Sequence, residues 1–158
     1  MALPQGDLGL LDTDVAQRML TSTVPARLAY CWSDGTPRVL PIWFHWDGTD
    51  MVMASTVAAP KLKALSKRPE VAITIDSNDY PHDVLLVRGT ASITEVDGVV
   101  PEYAAAARRY LGEEGGAGFV AQMNLPGLRM ARIAVRPTWV GTLDFQTRLP
   151  SAIGGVIG

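Results

Sequence analysis

Lysine is almost missing from this 158-residue chain: of its 14 basic residues only three are lysines, Lys61, Lys63 and Lys67, all within one short window beside Arg68. Cysteine is scarcer still. Cys31 stands alone, so no disulfide within the chain can staple the fold, and a lone half-buried thiol read as a small core residue fits a reducing cytoplasm. No apolar run approaches the roughly 18 residues that a membrane-spanning helix needs. Met1–Leu11 carries Asp7 and no basic stretch, so a secretory signal is not expected. Nor is there an excess of positive charge: the net charge is −2, which argues against the broad basic face that nucleic acid requires. His45 and His82 lack the paired spacing of metal ligands, so no metal site is expected.

What is present reads as one domain over residues 1–158, mainly β with short helices. Asp12 or Thr13 caps a short helix through Thr21. From Ala26 the pattern becomes strands: Ala26–Trp32, a turn at Ser33-Asp34-Gly35-Thr36, Arg38–Trp46, a turn at Asp47-Gly48, and Met51–Thr56, a three-stranded meander. Further strands are expected at Val71–Asp76, Val84–Val96 and Arg129–Gly141. Glu102–Leu111 forms a helix, Gly115–Asn124 a flexible link with at most one more helical turn, and the tail over 150–158 frays. Pro41 has no N–H to give a ladder, so its strand is bulged or lacks a neighbour there, and Gly89 marks a bend.

The second strand is apolar on both sides. Leu40, Ile42, Phe44 and Trp46 share one face; Val39, Pro41, Trp43 and His45 share the other. An open sheet with one wet face has no use for this. One face is expected to line a barrel, and the other to meet a ligand or a second subunit.

Directly after the third strand, Ser55 and Thr56 precede a small-residue turn and a basic helix that Pro60 opens and Pro69 closes. Two hydroxyls, a helix start and local positive charge make a phosphate cradle of Ser55, Thr56, Lys61 and Lys63. The plainer reading is a solvated helix face with Leu62 and Leu65 beneath.

The order of these elements, GTPRVLPIWFHWDGTDMVMAST (35–56), PKLKALSKRPEVAITID (60–76) and VRGTASI (87–93), resembles the pyridoxamine 5′-phosphate oxidase-like flavin and deazaflavin oxidoreductases. The resemblance covers about residues 12–144. It implies a six-stranded antiparallel split β-barrel over 26–144, working as a homodimer with cofactor sites between subunits. It assigns the cofactor phosphate to Ser55, Thr56 and Lys61, with Lys63 one helical step on, and the ring to Leu40, Pro41, Ile42, Trp43, Met53 and Ala54. The cofactor is FMN or the deazaflavin coenzyme F-420, whose acidic tail Lys63, Lys67 and Arg68 would suit. The implied chemistry is hydride transfer to a small unsaturated or electron-poor substrate, with Tyr80 and His82 as candidate proton donors. By family position, Asp76–Tyr80 and the strand around Trp139 approach the partner's cofactor. The chain ends too early to hold the whole substrate-binding region of true pyridoxamine phosphate oxidases, so that substrate is not implied. A non-catalytic flavin- or haem-binding barrel is the alternative.

Overall fold

A computed structural model describes residues 1–157. A 3-10 turn at Leu8–Asp12 leads into α1 (Asp14–Leu20), whose N-cap is Thr13, accepting from the Ala16 N–H. Then follow β1 (Ala26–Cys31), β2 (Pro37–Ile42), β3 (His45–Trp46), β4 (Met51–Thr56), α2 (Lys61–Lys67), β5 (Glu70–Asp76) and β6 (Val84–Asp97). The helices α3 (Pro101–Leu111) and α4 (Glu113–Met123) precede the long β7 (Arg129–Leu143).

The strands form one seven-stranded sheet in the order β2-β1-β5-β6-β7-β4-β3. Every pairing is antiparallel. β2 and β3 lie at opposite edges, yet only Trp43 and Phe44 separate them in the chain. The sheet therefore curls until its two edges approach, without a ladder closing it. This corrects two expectations. There are seven strands, not six, and the second strand is not the middle of a meander: its first part pairs with β1 and its last part with β4. Pro41 pairs on β1 alone, as an edge residue must when it has no N–H to offer.

The inward rows build the main core, in which Leu28, Phe44, Met51, Met53, Ile75, Leu85 and Ile133 are fully buried. Leu40, Ile42 and Trp46 pack against it, as the alternation predicts. α1 and α2 contribute Met19, Leu20, Ala64 and Leu65 to the same core. A second, smaller cluster of Val52, Ala54, Val100 and Met130 lies beneath α3.

β6 and β7 carry the sheet around its corner. β5 pairs with β6 only as far as Thr90, and β4 pairs with β7 only as far as Val135. At that hand-over Arg88 faces Trp139 and Gly89 faces Pro137, so Thr138 bulges out. A Cβ on Gly89 would lie 2.3 Å from the Arg136 carbonyl oxygen, which is why the bend needs glycine.

Two further expectations are corrected. Residues 115–124 are not a flexible link with a single helical turn but lie almost wholly within α4. Gly116 is buried there, and an added Cβ would sit 2.4 Å from Arg108 Cα; the glycine serves the close crossing of α3 and α4. Cys31 is exposed, not a core residue, because it ends β1 on the outward row. In the tail, Ser151–Ile153 is a 3-10 turn and Arg148 bridges Val156. Gly158, the end of that tail, lies outside the described residues.

The two α4 glycines separate packing from propensity. Gly116→Ala should destabilise by about 2 kcal/mol through overpacking. Gly118→Ala, with nothing within 4 Å of the new methyl, should stabilise by about 0.5–1 kcal/mol. Urea unfolding of the two variants checks this, and equal signs would contradict the close helix crossing.

Candidate functional site

The site begins where β4 runs out. Ser55 faces Ala131 and Thr56 faces Met130 on β7. The chain then turns, the Ala59 N–H donating to the Thr56 carbonyl at 3.1 Å, and α2 starts at Lys61. Lys61 Nζ donates to Ser55 Oγ at 2.8 Å. The sequence brings them together because a short turn folds the first helical residue back over the strand end. Burial lowers the pKa of Lys61, and among the described residues no carboxylate pairs with it. Thr56 is exposed beside this pair, and Lys63, Lys67 and Arg68 are exposed along α2. A half-buried ammonium with a hydroxyl and no counter-ion fits a phosphate dianion: the group is already stripped of part of its water and lacks an internal competitor.

The residues expected against a ring are distributed differently. Leu40 and Ile42 turn into the main core, Pro41 is exposed, and Met53 and Ala54 are 1% and 7% exposed. Trp43 does not face solvent alone. It stacks on Tyr110 with centroids 5.0 Å apart and planes 10° off parallel, with Tyr103 at 5.8 Å and Phe119 edge-on at 5.6 Å. Burial raises the pKa of both tyrosines. Sequence reasoning missed this aromatic pile. Its signal was present, since Tyr103 and Tyr110 are two helical turns apart on one face of α3.

Tyr80 and His82 sit in the β5–β6 hairpin with Phe145, which sequence reasoning also passed over. The three rings meet at centroid distances of 5.7, 5.8 and 6.5 Å. His82 Nδ1 is 3.1 Å from the Ser77 carbonyl oxygen, which can only accept, so Nδ1 carries the hydrogen. In the neutral ring Nε2 is therefore an acceptor, and His82 donates a proton there only when charged. This hairpin lies at the Leu143 end of β7, whereas Ser55 and Thr56 lie at the Met130 end. Along the strand that is about 40 Å. One chain does not bring Tyr80 or His82 to Lys61.

His45 is half-buried on β3. Among the described residues no three His, Cys, Asp or Glu side chains gather as metal ligands. No helix is long and apolar enough to cross a membrane.

Residues 13–143 match the family model described as Pyridoxamine 5′-phosphate oxidase. No curated protein matches the chain in sequence. Among solved structures, an F420 reductase is 27% identical, covering 79% of this chain and 94% of its own, with a TM-score of 0.61. The General Stress Protein 26 from Bacillus anthracis is 15% identical over 87% of this chain and 95% of that one, with a TM-score of 0.59. The haem storage protein HutZ from Vibrio cholerae is 17% identical over 81% and 90%, with a TM-score of 0.58. These last two share the fold.

The state of Lys61 gives a stability prediction. Its folded pKa lies below the unfolded lysine value, so at neutral pH its charge opposes folding. That opposition fades as pH rises through the folded pKa towards the unfolded one. Lys61→Met, without ligand, should be no less stable than wild type at pH 7. Denaturant titrations should show any advantage shrinking as the pH is raised. A clear loss of stability at pH 7 would mean that Lys61 has a structural partner instead.

Proposed function

The chain belongs to the pyridoxamine 5′-phosphate oxidase family, and on that footing we propose that it is an oxidoreductase. It holds a phosphate-bearing flavin or deazaflavin at Ser55, Thr56 and Lys61 and acts on a small unsaturated or electron-poor substrate. The observation that carries this reading is the Lys61–Ser55 pair, 2.8 Å long and without a carboxylate beside it. When bound, such a cofactor supplies the hydride chemistry. Lys61 balances the phosphate charge, and the Ser55 and Thr56 hydroxyls donate to its oxygens. The packed row of β2 and the aromatic pile on Trp43 keep water from the inner wall.

Between the two cofactors, coenzyme F-420 is favoured. The F420 reductase at 27% identity supports it, and so do Lys63, Lys67 and Arg68, exposed and without carboxylate partners among the described residues, along the side where an acidic tail would leave.

The working unit in this proposal is a homodimer. Val39 is 69% exposed on the outward row of β2, an edge strand, with Pro41 beside it. An apolar edge of this kind calls for cover. A second copy there would also let Tyr80 and His82 serve the other chain's cofactor, since they cannot reach their own. Light scattering at micromolar concentration should give twice the chain mass, and Val39→Asp should shift it towards the monomer. A monomeric wild type would remove the dimer from the proposal.

Titration of cofactor-free protein, followed by ring fluorescence, tests the cofactor. Coenzyme F-420 should bind at micromolar concentration or tighter, ahead of FMN. Lys61→Ala should weaken it by about 10- to 100-fold, the scale of a charged hydrogen bond. Affinity should fall at alkaline pH as Lys61 loses its proton, and Lys61→Ala should lack that fall. Binding of haem with neither flavin nor deazaflavin would favour the haem-binding alternative. Cofactor binding without turnover of any acceptor would leave a carrier.

A further inference from the structure

The β5–β6 hairpin that carries Tyr80 and His82 is tied down by a residue near the start of the chain. Arg18 on α1 takes the Asp83 carboxylate with both arms of its fork: Nε donates to Oδ2 at 2.7 Å and Nη2 to Oδ1 at 3.0 Å. Its base is anchored, because Met19 and Leu20, which follow it, are buried in the main core. From Asp83 the bonds run on to Ser77. The Asp83 N–H donates to Ser77 Oγ at 2.9 Å, and the Ser77 N–H donates to the Asp83 carbonyl at 2.9 Å. The Ser77 carbonyl then takes the Nδ1–H of His82 at 3.1 Å. Arg18 is thus linked to the imidazole through Asp83 and Ser77. Nε2 is left as the ring nitrogen without a partner among the described residues. The ring lines an open cavity of about 350 Å³ together with Asp76, Asn78 and Phe145.

Most of the carboxylates in the elements around that ring are already occupied. Asp83 is held by Arg18, and Asp76 on β5 by Arg27 at 3.2 Å. Asp144, next to Phe145, accepts from the Gln146, Thr147 and Arg148 N–H groups. Asp79, in the hairpin, is exposed. The other titratable groups on these elements are Tyr80, edge-on to the ring at 5.7 Å, and Asp14, one helical turn before Arg18. An unpaired carboxylate against an imidazole favours the charged ring and keeps its proton in place. The pairing of Asp83 with Arg18 removes the one that is adjacent in sequence.

We infer that Arg18 is a positioning residue for His82. By holding Asp83 it fixes the Ser77 carbonyl that sets the tautomer, and it withholds the Asp83 charge from the ring. His82 then delivers a proton from Nε2. The inference deepens the proposed function and rests on it: the step served follows hydride transfer from a reduced flavin or deazaflavin, held in that reading by the partner. The hydride forms a C–H bond at one end of the substrate's double bond, and the π pair moves to the other end. There it takes the proton as the N–H bond at Nε2 breaks. The imidazole, left neutral, regains a proton from water.

The first test needs no cofactor. Nitrogen–proton NMR of the two histidines, assigned with His45→Gln, should show neutral His82 as the Nδ1–H tautomer. Arg18 is 55% exposed, so its variants should keep the fold. Arg18→Gln should let the Nε2–H form appear and move the titration midpoint of His82 to higher pH, because the freed Asp83 charge favours the charged ring. Asp83→Asn should loosen the tautomer without that rise. Arg18→Lys should recover only part of the wild-type signal, since an ammonium lacks the fork. With reduced coenzyme F-420 and cyclohexenone as probe, Arg18→Gln should lower kcat by about tenfold and leave the Kd of the coenzyme unchanged. The alkaline limb of kcat should move with the NMR midpoint. The inference is overturned if Arg18→Gln leaves the tautomer and midpoint of His82 where they were. It is overturned as well if wild type binds the coenzyme without reducing the enone, or if the alkaline limb does not follow the midpoint. Absence of coenzyme binding to wild type would instead sink the cofactor reading, and the inference with it; ring fluorescence tells that failure apart.

Discussion

The structure hangs on the step in which one stretch of chain leaves one edge of the sheet and joins the other within two residues. At Trp43 and Phe44 the ladder stops, and the Phe44 carbonyl has no strand to receive a donor from. Arg109 supplies the substitute. One guanidinium nitrogen donates to the Phe44 carbonyl and another to the Ser22 carbonyl, while its plane lies over Phe44 and Tyr110 at 4.7 and 4.8 Å. A buried carbonyl left without a donor would cost about 1–3 kcal/mol, so the clamp permits the partner change. It also fixes α3, because Arg109 and Tyr110 bind the loop before β1, Tyr110 through its hydroxyl to the Val24 carbonyl. With α3 placed, Trp43 has its stacking partners, Val52 and Ala54 have their cover, and the end of β4 is held where Ser55 meets Lys61.

The charges follow a simple division. Arg18, Arg27, Arg108, Arg129, Arg132 and Arg136 are tied to carboxylates, and Arg109 and Arg148 to backbone carbonyls. Among the described residues, Arg38, Lys61, Lys63, Lys67, Arg68 and Arg88 have no carboxylate partner, and all lie between β2 and β6. In a chain of net charge −2 there are acids enough to pair with them. Where a cation must receive an anion from outside, an internal carboxylate would occupy the donors first and set a competing interaction against every ligand. The basic window of the sequence already pointed to four of these unpaired cations.

Much of the fold was legible because local chemistry decided it. The turn at Asp34-Gly35 and a cap at Asp12 or Thr13 announce themselves, as does the lysine window. Pro41 showed that β2 is bulged or lacks a neighbour, of which the edge position is the outcome, and Gly89 located the bend. The break at Trp43-Phe44 was not legible, since an unbroken apolar run gives no sign of where its partner changes, and the residue that allows the change lies far along the chain in α3. The helix α4 was hidden for another reason. Three glycines disfavour a helix by roughly 1 kcal/mol each, and only the close crossing of α3 and α4, a tertiary fact, gives Gly116 its purpose. Cys31 misled because strand alternation says which residues share a face, not which face is wet. At the candidate site the short-range pair of Ser55 and Lys61 could be read directly. The placing of Tyr80 and His82 at the far end of β7 could not, because it depends on how the whole sheet is threaded.

On the proposed function, Lys61 would tie the stability of the molecule to its cofactor. An ammonium drawn partly out of water, with a serine hydroxyl as its one partner among the described residues, is a charge whose solvation has been reduced without an opposing charge in return. The ligand-free fold carries that cost. An anion seated against Ser55 and Thr56 would cancel it, so part of the free energy of binding would come from relieving an unfavourable state already present in the protein. Any ligand that binds only the folded chain stabilises it by mass action, and here the gain would be largest for a dianion, which supplies the missing charge in full. A carboxylate placed beside Lys61 would make the ligand-free protein more stable and the cradle worse. In the proposed function the missing counter-ion is a feature of a binding site, and burial distinguishes Lys61 from the exposed lysines that follow it on α2.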